Sequence, residues 1–539
     1  MFALAKIIFL GSAVAMLAIG GCRSAVPVPA MPPPEDRGSS ESSDNHSSVV
    51  PKGAESALSP SAASIPDSGP SPAAQMHSYF TKIAQSQLNP SPPPLPEVST
   101  ATVLIVIDAL NARHVGVYGY ERNTTPNIDA FAQEGVVFTQ WISNSSWTRP
   151  SFTTIVTGVP KAVHGMELSD KALPKKIATL AEQFRAHHFK TAAFVGNPLI
   201  QKKWRYDQGF DHFEDTEDHG DFPRADVLVN RALRWIETET DDRPFLVVLF
   251  LTDPHAPYEP AQDARQFSKS FEEIVTSPQR EVLEPFDTTR HAGIVAAYDD
   301  EVAFADAQVG RFLTELKRLE KYRQTTIAVT ADHGEIFGAH NCYQHAYHMW
   351  EPVLRVPFII RAPQAGGHEA TLPQTGPRFD DRPFTHTDVL PTLLHAAGIE
   401  SKTPYGQSVF APNADLSRVI VSEYDARGVK RTAARIGNLK LVRYEKVNGV
   451  LFEGIGRGTE MLQQNPSLLI PGPRYELFDL SRDAAETNNE YANYDTDEQI
   501  EPLRRAVKPT PKKKSSSPGQ APVLDADTLN ALTAAGYIQ

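Results

Sequence analysis

The chain has 539 residues, 41% hydrophobic and 22% charged, a composition ordinary for a globular protein and ample for one large domain or two smaller ones. Its formal net charge of −13 argues against nonspecific nucleic-acid binding, because phosphate backbones demand the opposite sign, and it leaves room for a local basic pocket. The only cysteines are Cys22 and Cys342, too few for a disulfide framework, so stability must come chiefly from the core.

From the N-terminus, Lys6 precedes an apolar run from Ile7 to Ile19 and then Gly20, Gly21 and Cys22. A charged start, an apolar run short for a bilayer span and small residues before a cleavage point make residues 1–21 a signal peptide. A Cys at that place resembles the lipobox of bacterial lipoproteins. The resemblance implies that Cys22 carries lipid and anchors an exported protein to a membrane of the bacterial cell envelope. The alternative is an ordinary secretory signal that ends near a Cys. Residues 22–100 are rich in Pro, Ser and Ala without an apolar period, so they cannot offset their ordering entropy and read as a disordered tether. Within it, Ala73–Leu88 could form a helix.

The folded part begins near residue 101. Thr102–Ile107, Thr191–Val195, Phe245–Leu251 and Thr325–Thr330 are apolar runs without polar alternation, the pattern of parallel strands buried on both faces. Helical patterns at Lys175–Phe184, Ala225–Glu237 and Ala296–Leu319 separate them. Alternating strands and helices predict an α/β fold with a doubly wound, mainly parallel sheet. The expected division is a catalytic domain at 101–415, a small C-terminal α+β subdomain at 416–504, and a low-complexity loop with a terminal helix, Ala526–Ala535, at 505–539.

Ligands of open α/β sheets bind beyond the carboxyl ends of the strands. There the sequence places Asp108, then Asp253 and His255, then Asp332, His333 and Glu335. Carboxylates suit hard divalent cations and imidazole admits zinc or manganese, so a metal site accounts for such groups on one sheet edge. A lone Asp after a strand is more often a turn former or helix cap, and only the convergence of three strand ends favours the metal.

At these residues the chain resembles the sulfatase family of the alkaline phosphatase superfamily. The resemblance rests on Val106–Leu110, His114–Tyr120, Thr125–Asp129, Thr148–Ser151 with Thr157-Gly158, Asp253–Tyr258, Ala331–Glu335, Leu354–Ile360 and Asp388–Leu394, in that order. Leu439–Val442 and Glu476–Leu480 resemble the family's smaller C-terminal part. Two departures bear on chemistry. Sulfatases carry a Cys or Ser that becomes formylglycine, with Pro at +2 and Arg at +4; here the positions hold Thr148, Pro150 and Phe152. Sulfatases also have two adjacent Asp after the first strand, where this chain has Asp108 and Ala109.

Phosphate-processing relatives with an unmodified Thr imply a different assignment: Thr148 as nucleophile, with Ser145 and Ser146 as less well spaced alternatives. In that assignment Asp108, Thr148, Asp332 and His333 hold one divalent ion, calcium, magnesium, manganese or zinc, with a second ion left open. His255 and His345 would meet the anionic ester substrate or that second ion, and His340, His348 and His386 would replace His345 or be structural. The implied activity is metal-dependent hydrolysis of phosphate mono- or diesters. The rivals are sulfate-ester hydrolysis with an unmodified Thr, and an envelope lipoprotein that keeps the fold without catalysis. Oligomeric state is not encoded in these features.

Overall fold

A computed structural model describes residues 92–508 apart from 168–170, 219–221, 242, 272–287, 342, 364–376, 427–428 and 446–473. The signal peptide, Cys22, most of the tether with Ala73–Leu88, Cys342 and the terminal helix Ala526–Ala535 lie outside the described residues.

The strands in chain order are β1 (Ala101–Ile107), β2 (Val136–Phe138), β3 (Trp141–Ile142), β4 (Lys190–Val195), β5 (His212–Glu214), β6 (Phe245–Leu251), β7 (Thr325–Thr330), β8 (Ile336–Phe337), β9 (Tyr343–Gln344), β10 (Phe358–Arg361), β11 (Arg378–Asp380), β12 (Phe384–Thr385), β13 (Ile420–Ala426), β14 (Val429–Ile436), β15 (Leu439–Tyr444) and β16 (Arg474–Asp479). Eight of them form the main sheet in the order β11-β2-β10-β7-β1-β6-β4-β5. Every residue of β1, β6 and β7 is buried, which is why their sequences run apolar without alternation. Burying each large aliphatic side chain of β1 stabilises the fold by roughly 1.5–3 kcal/mol. The sheet is mainly parallel: β1 pairs with β6 and β7, and β4 with β5 and β6, all in parallel. The exception is β10, antiparallel to both β7 and β2.

The helices that matter below are α1 (Thr148–Thr157), α2 (Leu180–Ala186), α3 (Ala225–Glu239), α4 (Thr288–Arg318) and α5 (Glu501–Val507). The helical pattern expected from Lys175 starts later, because Thr179 and Glu182 form a reciprocal capping box that sets the first turn at Leu180. The pattern expected from Ala296 extends back to Thr288. Helix α3 packs on β4 and β6 and against α4.

After residue 419 the chain builds a separate antiparallel sheet, β13-β14-β15-β16. One face is covered by α5, whose Leu503 and Val507 pack with Ala434, Leu441 and Leu477. From the other face Arg435 and Lys440 reach Glu351, which also binds Arg355. Lys440 additionally pairs with Glu486 at 2.7 Å. All five charged groups are at most 8% exposed, a burial tolerated only because each has a partner. The edge strand β13 lies along residues 143–145: Ser422 Oγ donates to the Ser143 carbonyl, Glu423 N to the Asn144 carbonyl, and Ser145 Oγ to the Glu423 carbonyl.

Candidate active site

Neighbouring strands β1 and β7 run parallel and end side by side at the carboxyl edge of the sheet, the edge beyond which ligands of open α/β sheets bind. Asp108 follows β1; Asp332 and His333 follow β7. Ala109 adopts a left-handed conformation, φ 56°, unusual for a residue with a Cβ. That turn lets its N–H donate to Asp332 Oδ1 at 3.2 Å while Tyr298 OH donates to its carbonyl at 2.8 Å. Thr148, the first residue of α1, completes the group.

Asp108, Thr148, Asp332 and His333 are all fully buried. His333 Nδ1 lies 2.9 Å from the Gly334 carbonyl, so the proton sits on Nδ1 and Nε2 offers a lone pair. To that Nε2 the Thr148 hydroxyl donates at 3.3 Å, and Asp108 Oδ1 and Asp332 Oδ2 stand 3.6 and 3.5 Å away. One ligand atom from each of Asp108, Asp332 and His333 lies within 4.8 Å of the others. Asp108 Oδ1 and Asp332 Oδ2 accept no hydrogen bond among the described residues. Burial pushes both carboxyls well above the usual carboxylate range, and for Asp108 the neighbouring charge of Asp332 adds to it. Burial also drives the His333 imidazole far below its ordinary value, helped by His345. Two buried carboxylates with open oxygens beside a neutral imidazole nitrogen are unfavourable alone, and a divalent cation is the group that compensates them. The donor set therefore fits a divalent metal.

Two further imidazoles stand beside this cluster. The His345 ring centre is 4.2 Å from that of His333 and 5.0 Å from that of His255. His345 Nδ1 is 3.2 Å from Glu335 Oε2, which also accepts from Tyr258 OH at 2.9 Å. His255 Nδ1 donates to the Ala256 carbonyl at 2.6 Å, and burial, with His345 second, holds the ring neutral with its pKa lowered to about 3.

A model of the Sulfatase family matches residues 100–399. The chain belongs to the sulfatase family. Among its relatives in this family, an ulvan-active sulfatase of Formosa agariphila is 26% identical over 55% of this chain and 61% of its own length. A second Formosa agariphila sulfatase is 24% identical over 77% of this chain and 87% of its own. Solved structures share the fold. One, in complex with its substrate D-glucosamine-2-N,6-O-disulfate, superposes with TM-score 0.57 at 18% identity over 76% of this chain and 96% of that one. The phosphonate monoester hydrolase of Agrobacterium radiobacter gives TM-score 0.54 at 18% identity over 75% and 95%.

In this sulfatase-family member the structure brings Thr148, Asp108, Asp332, His333, His255 and His345 together and sends other residues elsewhere. Asp253 leaves the crevice: its carboxylate accepts from Ala225 N at the start of α3 and faces Arg224. Ser145 Oγ donates to the Glu423 carbonyl and Ser146 Oγ to the Ala346 carbonyl, so neither hydroxyl joins the cluster. His340 and His348 stack on the two sides of Trp350, at 3.9 and 4.0 Å. His386 lies behind the Thr148 segment, 3.3 Å from Ser143 Oγ. Phe152, in place of the family's Arg, packs edge-on against Phe250 at 4.9 Å.

Asn197 was not singled out from the sequence, yet its Nδ2 donates to Asp108 Oδ2 at 2.6 Å. It sits just beyond the end of β4, so the strand-end rule that flagged Asp108 could have flagged it. Glu335 and Tyr258 lie in motifs that were recognised, without a role of their own.

Proposed function

We propose that this chain is an exported, lipid-anchored, metal-dependent hydrolase of anionic esters that uses Thr148 as an unmodified nucleophile, with phosphate mono- or diesters as its substrates. The observation that carries the reading is the placement of Thr148 Oγ1 3.3 Å from His333 Nε2, among the open oxygens of Asp108 and Asp332. Asp108, Asp332, His333 and Thr148 would hold the ion. When bound, a divalent metal lowers the pKa of a coordinated hydroxyl and offsets charge on the transferred group.

Thr148 Oγ1 forms a bond to phosphorus as the bond from phosphorus to the leaving oxygen breaks, and that oxygen departs with a proton as the alcohol. Water then displaces Thr148 and releases the phosphate product. With its Nδ1 proton committed to the Ala256 carbonyl, His255 can bind a substrate oxygen through Nε2 only as the imidazolium, a form that the incoming anion itself favours. His345, held by Glu335 at 3.2 Å and with its ring centre 5.0 Å from that of His255, would contact the same anionic group.

Thr148→Ala is expected to abolish turnover while metal still binds, and mass spectrometry of the quenched wild type should find phosphate on Thr148. Retained activity in the variant refutes the assignment. The second reading, sulfate-ester hydrolysis, is favoured by the relatives, which are named sulfatases. Parallel assays with 4-nitrophenyl phosphate, bis(4-nitrophenyl) phosphate and 4-nitrophenyl sulfate separate the two.

The envelope location rests on the sequence of the segment ending at Cys22. Cys22→Ala should release the protein from the membrane fraction; unchanged fractionation sinks the lipid anchor.

A further inference from the structure

Strands β1 and β4 are not neighbours; β6 lies between them. Yet Asn197, beyond β4, touches Asp108, beyond β1, by reaching over the end of β6. Local structure explains how. Gly196 N donates to the Phe250 carbonyl, continuing the ladder with β6 for one more residue. A Cβ at Gly196 would lie 2.7 Å from Thr252 Oγ1, so only glycine lets the chain run this close over the strand end. The next residue then turns: Leu199 N donates to Asn197 Oδ1 at 2.8 Å, and Ile200 N to the Asn197 carbonyl at 3.0 Å. With Oδ1 committed to that turn, the amide has one orientation, and its Nδ2 is the end that faces Asp108.

We propose that Asn197 is a positioning residue for the metal ligand Asp108, fixing the carboxylate so that Oδ2 is held by the amide and Oδ1 is turned to the ion. The inference rests on Asp108 being a ligand. The contact at 2.6 Å is a short, charge-assisted hydrogen bond between fully buried partners. It leaves Oδ1, the oxygen nearest His333 Nε2, as the oxygen without a hydrogen bond. An amide donor suits this place better than Lys or Arg, because it orients the carboxylate without adding a positive charge that would repel the ion. Partners of this kind typically change metal affinity by about 10- to 100-fold when removed.

The test uses the full chain, stripped with a chelator and titrated with Mn2+ by calorimetry, with the paramagnetic resonance spectrum of bound Mn2+ as a second readout. Asn197→Leu should weaken Mn2+ binding by about 10- to 100-fold and alter the spectrum. Asn197→Ser, whose hydroxyl is too short to reach Asp108, carries the test should the Leu variant fail to fold. Gln201 is a buried residue of the same segment whose Nε2 donates to Thr216 Oγ1 at 2.6 Å, away from Asp108. Gln201→Leu should keep wild-type Mn2+ affinity, and an equal loss there would mean that Asn197 acts through general packing and would overturn the proposal. Wild-type affinity in Asn197→Leu beside abolished binding in Asp108→Ala also overturns it and leaves the metal site standing. Wild-type affinity in Asp108→Ala removes the metal reading and this inference with it.

Discussion

Where the C-terminal sheet packs on the rest of the fold, three buried cations meet the carboxylate of Glu351, and removing its charge tests what this cluster contributes. Glu351 accepts from Arg355 at 2.8 Å, Arg435 at 3.0 Å and Lys440 at 3.1 Å. Burial acts to raise the pKa of Glu351, and Lys440, Arg435 and Arg355 together overcome it and hold the carboxyl well below the usual carboxylate range. In Glu351→Gln the shape stays while three buried cations face the single remaining carboxylate of Glu486. Breaking a buried pair by neutralising one partner costs about 3–5 kcal/mol, because the stranded charge keeps its desolvation penalty. The direct comparison is urea unfolding followed by fluorescence, with Lys440→Met and the double variant completing a cycle. The double variant should be more stable than the sum of the single losses predicts. A loss below about 1 kcal/mol in Glu351→Gln, or strict additivity, refutes the idea that paired charge holds the C-terminal sheet on the rest of the fold.

Other outcomes follow from burial and geometry. Burial first and Lys161 second lower the pKa of His164 to about 3, and its Nδ1 accepts from Met166 N at 3.0 Å, which requires the neutral ring. The unfolded chain takes up that proton near 6.5, so stability is full above that pH and drains as pH falls from 6.5 toward 3. Thermal midpoints measured from pH 8 to pH 4 should fall less steeply in His164→Leu than in the wild type, and equal slopes refute the account. Gly209 has φ +94° and a Cβ there would stand 2.4 Å from Glu182 N, so Gly209→Ala should cost at least about 2 kcal/mol in denaturant unfolding. In Tyr258→Phe the carboxylate of Glu335 loses a donor at 2.9 Å, and kcat/KM should fall by roughly 5- to 30-fold with the fold intact; an unchanged value would detach Tyr258 from the site.

What was legible in the sequence was what is buried on both faces. β1, β6 and β7 agree with the expected strands within one residue, since full burial leaves an apolar run with sharp polar ends. β10 shows the limit of that signal. Phe358–Arg361 looks the same in either direction, and only the connection through residues 331–357 makes it antiparallel. The strand-end rule found Asp108, Asp332 and His333 but could not tell that Asp253 turns away to α3 or that Asn197 reaches over β6. Position on an edge does not fix where a side chain points. The histidines of the loop after β8 were not separable by composition. Their separation comes from Trp350, which takes His340 and His348 on its two faces, and from Glu335, which takes His345.

The strip of β13 along residues 143–145 has a consequence for the order in which the enzyme can be made. Every ligand candidate, from Asp108 to His333, is synthesised before Ile420, yet the segment leading into Thr148 is tied to backbone that arrives only with the last quarter of the chain. A chain cut short before that strand keeps its complete set of ligand candidates and lacks the hydrogen bonds that hold residues 143–145, the segment leading into Thr148.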